Sequence, residues 1–67
     1  MIHLKKLREK KRMSQQKLAL ELNVSQSTVS FYETGDRQPD LEMLKQIANL
    51  FDVSIDYLVG RTDINKK

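Results

Sequence analysis

The sequence predicts an all-α fold, a compact domain of five short helices. Three observations point there. Apolar residues recur at helical spacing, and no stretch alternates with a period of two. Ser14, Ser25, Asp40 and Ser54 each stand just before such a stretch, where a side-chain oxygen can cap a helix N-terminus. Asn23, Gly35 and Gly60 stand just after others, and Asn and Gly accept positive φ most easily.

The first helix is expected from Ile2 to Arg12, with Leu4, Leu7 and Lys11 on one stripe. The second starts after the Ser14 cap and ends near Leu22; Leu18, Ala19 and Leu22 share one face. The third starts after Ser25 and ends near Thr34, with Val29, Tyr32 and Glu33 inward at i, i+3 and i+4. Only Asn23 and Val24 separate the second helix from the third cap, so the chain must reverse at once. Ala19 is small where the two helices approach. This is the pattern of a helix-turn-helix, whose second helix can enter the DNA major groove.

A polar loop, Asp36-Arg37-Gln38-Pro39, leads to a fourth helix from Leu41 to Phe51. Its expected core face is Leu41, Leu44, Ile47, Ala48 and Phe51. Ser54 opens a short fifth helix, Ile55 to Val59, which Gly60 closes. Residues 1–60 therefore form one domain, and residues 61–67 a polar tail or the start of a linker.

Composition narrows the function. With no Cys and one His, neither a disulfide framework nor a thiolate or histidine metal site can be built. No apolar run is long enough to span a membrane, and no signal-peptide core stands at the N-terminus, so a cytoplasmic protein is expected. The net charge of +3 suits a polyanionic partner. Its placement says more, since Lys5, Lys6, Arg8, Lys10, Lys11 and Arg12 crowd one end, while Asp40, Glu42, Asp52 and Asp56 lie towards the other. Enzyme chemistry finds no support: His3 is expected at a mobile terminus, no inward carboxylate pair is evident, and no Gly-rich phosphate loop exists. No cofactor is expected.

The outward face of the third helix carries the candidate base readers. With Val29, Tyr32 and Glu33 inward, Ser27, Ser30, Phe31 and Thr34 point outward, and Gln26 and Ser27 lead the helix. Gln can bond adenine bidentately, Ser donates or accepts, and Phe31 can touch a thymine methyl. Gln15, at the free N–H groups that open the second helix, is a candidate phosphate contact. Ser25, Thr28 and Arg37 complete that set. Ser14 and Ser25 are caps first. Arg8 on the Leu4/Leu7 stripe and Glu33 on the Val29/Tyr32 stripe predict a partly buried salt bridge that ties the first helix to the third.

These residues resemble the lambda-repressor-like, Cro-type (XRE) helix-turn-helix family from about Leu4 to Gly60. The matching features are Ser-Gln before the second helix, Leu-Ala within it, Val-Ser before the third, Glu-x-Gly after it, then Pro, then Val-Ser-x-Asp-x-Leu. The resemblance implies a five-helix domain that binds operator DNA as a dimer and regulates transcription. Within it Gln15 takes the phosphate-contacting position, Gln26 and Ser27 the base-reading positions, with Ser30 and Phe31 further along, and Arg8 and Glu33 a salt-bridging pair. The chain departs from the family pattern at Asn23 and Asp52, where Gly is common, and at Phe31, where a polar or basic residue is usual.

The expected function is a repressor that binds double-stranded DNA as a homodimer on a palindromic operator, with half-sites about one helical turn apart. Leu50, Ile55, Tyr57 and Val59, in and beside the fifth helix, are the expected dimer surface. The alternative is an antitoxin-like or other protein-interaction module on the same fold. Leu20 and Leu50, apolar at outward positions, favour it.

Overall fold

The computed structural model describes residues 2–61. It consists of α1 (Leu4–Lys10), α2 (Gln15–Leu22), α3 (Gln26–Thr34), α4 (Leu41–Phe51) and α5 (Ile55–Leu58), with no strand among the described residues. Most of the expected tail, from residue 62 onward, lies outside that range.

Four helices begin where an oxygen-bearing side chain closes the first turn. Ser14 Oγ accepts from the Lys17 N–H, Ser25 Oγ from Thr28, Asp40 from Met43 and Ser54 from Tyr57. Three ends lie in the left-handed region: Asn23 at φ 59°, Gly35 at φ 87° and Asp52 at φ 56°. At Asn23 this conformation sets the angle between α2 and α3. Asn23→Val is expected to destabilise the domain by about 1–2 kcal/mol, because a β-branched residue resists positive φ. Asn23→Gly should stay within about 0.5 kcal/mol of the parent. Urea midpoints at unchanged m-value check both; equal midpoints for the two variants would remove the backbone explanation.

The core gathers Leu4 and Leu7 from α1, Leu18, Ala19 and Leu22 from α2, Val29 and Tyr32 from α3, Ile47, Ala48 and Phe51 from α4, and Leu58 from α5. Ile2 and Val53 join it from outside the helices. Met13 and Val24 fill its edge.

The structure departs from expectation in six places. First, α1 is shorter than Ile2 to Arg12. The His3 N–H bonds the Leu58 carbonyl at 2.8 Å, which holds the leading residues against α5, and Arg12 turns out of the helix at φ 55°. Second, His3 is not at a free end: its ring is half-buried, edge-on to Tyr57 at 5.3 Å. Third, Lys11, expected on the α1 stripe, is exposed just past the helix, since hydration of an ammonium outweighs burial of its stem. Fourth, Leu41 is 59% exposed and Leu44 half-buried. The first turn of α4 therefore stays largely in solvent, with Glu42 exposed beside Leu41. Fifth, Leu50 is half-buried against the core and not an open patch, whereas Leu20 is 74% exposed. Sixth, the last turn of α5 ends one residue early, at Leu58.

Candidate nucleic-acid interface

The α2–α3 pair is fixed by one carboxylate. Glu33, in the last turn of α3, has a side chain only 3% exposed. Arg8 Nε donates to its Oε2 at 2.6 Å, and Arg8 Nη2 reaches Oε1 at 3.3 Å. Gln15 Nε2 donates to the same Oε1 at 3.0 Å. A third donor, Arg8 Nη1, bonds the Met13 carbonyl at 2.7 Å, just ahead of the Ser14 cap. Glu33 therefore ties together α1, the opening of α2 and the end of α3. A buried carboxylate needs such satisfaction, because an unpaired charge in the interior is costly.

The expected Arg8–Glu33 pair is thus present, and partly buried as expected, with Arg8 12% exposed. Its hydrogen bond to Glu33 raises the Arg8 guanidinium above its ordinary range, against the lowering effect of burial. The sign follows from linkage: stability gained through a raised pKa is fully present below the unfolded value. It is lost only as pH climbs through the folded one. For a guanidinium that window lies beyond ordinary working pH, so the Arg8 contribution is expected to leave thermal stability flat between about pH 7 and pH 9. Thermal midpoints across that interval check it, and a fall that vanishes in the Arg8→Met/Glu33→Leu double variant would contradict it.

Gln15, expected at a phosphate, also bonds Glu33, an inward contact that no charge or apolar stripe in the sequence signals. The other amide N–H and the carbonyl of Gln15 make no hydrogen bond within the described residues. One side chain thus both anchors α2 inward and keeps donor capacity at the helix opening. Ser25 and Thr28 come together at the opening of α3, their hydroxyls 2.9 Å apart, while Ser25 Oγ also accepts the Thr28 N–H at 3.1 Å. Ser25 is thus a cap, as expected, and its hydroxyl is shared with Thr28.

The outward face of α3 is largely as expected. Gln26, Ser27 and Thr34 are exposed, and Ser30 and Thr28 half-buried. Phe31 is 41% exposed. It is not isolated: the Arg37 guanidinium carbon lies 5.7 Å from its ring centroid. Arg37 is itself exposed. The structure therefore couples an expected base reader to an expected phosphate contact, which residue spacing alone did not reveal. Lys5, Lys6, Lys10, Lys11 and Arg12 are all exposed on or beside α1.

The expected dimer residues Leu50, Ile55, Tyr57 and Val59 are each half-buried against the core. Each thus offers only part of its surface to a partner. No group of three or more His, Asp or Glu among the described residues converges as a metal site, and no helix of the structure is long and apolar enough to cross a membrane.

Residues 4–58 match the family model described as helix-turn-helix. The chain is 39% identical over 64 residues to the HTH-type transcriptional regulator ImmR of Bacillus subtilis, covering 96% of this chain and 50% of that protein. It is 47% identical over 58 residues to the HTH-type transcriptional regulator AnsR of the same organism, covering 87% and 50%. A third relative there, the uncharacterized HTH-type transcriptional regulator YqaE, is 42% identical over 57 residues, covering 85% and 49%. The chain spans about half the length of the curated relatives it matches. The α2–turn–α3 geometry, the family match over nearly all the described residues and these relatives agree: the chain belongs to the XRE-type helix-turn-helix family, a class of transcriptional regulators and not of enzymes.

Proposed function

We propose that this domain binds double-stranded DNA sequence-specifically and represses transcription as a two-fold dimer on a palindromic operator. One observation carries it: α3 buries Val29, Tyr32 and Glu33 while its opposite, polar face stays open at the leading end. A recognition helix needs that division, with one face locked to a scaffold and the other free for base edges. Gln26, Ser27 and Ser30 form the surface that meets the bases, with Phe31 beside them towards the end of α3. Gln15, Ser25, Thr28 and Arg37 flank it as phosphate contacts, which fix register without reading sequence. Because Glu33 holds Gln15, the inner network also sets where α2 meets the backbone. Leu50, Ile55, Tyr57 and Val59 form the two-fold contact, with half-sites about one helical turn apart. No cofactor takes part, and the protein works in the cytoplasm.

The test is salt dependence. Binding should weaken steeply with salt, because each phosphate contact releases counterions. Arg37→Ala should weaken all sequences alike and lower the slope of log affinity against log salt by about 1 per bound protomer. An unchanged slope would remove Arg37 from the phosphate contacts.

A protein-interaction module is the second reading, and the 74% exposure of Leu20 favours it. Binding through such apolar surface would hardly respond to salt, and Leu20→Ser would abolish it. DNA affinity that survives Leu20→Ser would separate the two readings.

A further inference from the structure

We infer that Phe31 is a positioning residue: its ring is a platform that holds the Arg37 guanidinium ready for the DNA backbone, in place of reading a thymine methyl. The inference rests on the DNA-binding proposal and concerns two of its contact residues.

The backbone brings the pair together. Gly35, at φ 87°, turns the chain back at the end of α3. The Phe31 carbonyl then accepts both the Gly35 N–H at 3.0 Å and the Arg37 N–H at 3.2 Å. The loop is pinned over the last turn of α3 by the residue whose ring Arg37 covers. The 5.7 Å from guanidinium carbon to ring centroid lies within the cation–π range of about 6 Å.

The stack suits a phosphate contact. A guanidinium lying on an aromatic face keeps the N–H groups along its edge free for other acceptors. Arg37 makes no ion pair among the described residues, so no carboxylate there competes for them. Held by the ring, the side chain gives up less rotamer freedom when DNA arrives than a free arginine does.

Residue type discriminates between the two roles. A thymine methyl needs only apolar surface, which Leu supplies as well as Phe. A cation needs the negative face of a ring, which Leu lacks and Tyr keeps. The experiment titrates the 67-residue protein against a labelled random-sequence duplex at several salt concentrations, where phosphate contacts dominate. Arms are Phe31→Leu, Phe31→Tyr, Arg37→Ala and the Phe31→Leu/Arg37→Ala double variant.

Phe31→Leu is expected to bind about two- to five-fold more weakly per half-site and to lower the salt slope as Arg37→Ala does. Phe31→Tyr should match the parent. The double variant should lose no more than Arg37→Ala alone, because both changes remove one unit. In the free protein, the Arg37 side-chain protons should lie upfield over the ring, and return to ordinary shifts in Phe31→Leu. Three results would overturn the platform role while leaving DNA binding intact: undiminished binding by Phe31→Leu, losses that multiply in the double variant, or a Tyr variant as weak as Leu. A parent protein that binds no duplex would instead overturn the DNA-binding proposal, and this inference with it.

Discussion

Arg8→Ala is expected to destabilise the domain by about 3–5 kcal/mol, the range for breaking a buried charge pair by removing one partner. The loss exceeds the value of the hydrogen bonds alone. Glu33, 3% exposed, would be left with only the single Gln15 donor at 3.0 Å. The Met13 carbonyl would lose its partner too. A core this small rarely supplies more than about 3–5 kcal/mol in total, so the variant should be largely unfolded at room temperature. Circular dichroism with urea titration measures it directly. Replacing both charges, as in Arg8→Met with Glu33→Leu, should recover most of the loss, since apolar isosteres avoid the desolvation that the pair carries. That double variant releases Gln15 from its inner anchor, so it should fold and yet bind DNA more weakly. A change below about 1 kcal/mol for Arg8→Ala would mean that the pair behaves as a solvated surface bridge.

The second large effect concerns Gln26. Gln26→Ala should lose about 1–3 kcal/mol of base discrimination per half-site, because the bidentate contact to one base pair disappears. A two-fold dimer presents Gln26 twice, so the loss on a palindromic operator should reach about 2–6 kcal/mol if the half-sites are independent. Affinity for random sequence should hardly change, as the phosphate contacts are untouched. Equal losses on all sequences would mean that Gln26 does not read a base. Stability should also be nearly unaffected, since the side chain is exposed on the first turn of α3.

Local chemistry made most of the fold legible. Ser14, Ser25, Asp40 and Ser54 cap the helices they were expected to cap, because capping is decided by a residue and its next three neighbours. The helix-turn-helix was legible for the same reason: Asn23, Ala19 and the inward stripes all act at short range. Arg8–Glu33 could be anticipated because both charges fall on apolar stripes, where a lone charge is untenable.

What escaped the sequence depends on where one element ends against another. Periodicity put Leu41 on the core stripe of α4, but could not reveal that the first turn of that helix stays in solvent. His3 looked like a free terminal residue because its partners, Leu58 and Tyr57, lie at the far end of the chain. Gln15 carries no charge, so nothing in the stripes linked it to Glu33. The Phe31–Arg37 stack depends on how Gly35 folds the loop back, which spacing does not specify.

In the function proposed above, α3 reads DNA sequence within a two-fold dimer. Selecting binding sites from a random duplex library tests it most directly, with Gln26→Ala in parallel. A palindromic motif with half-sites about one helical turn apart is expected, and the mutant motif should lose preference at one position in each half-site. A folded protein that enriches no motif would contradict it. So would a mutant that enriches the parent motif unchanged.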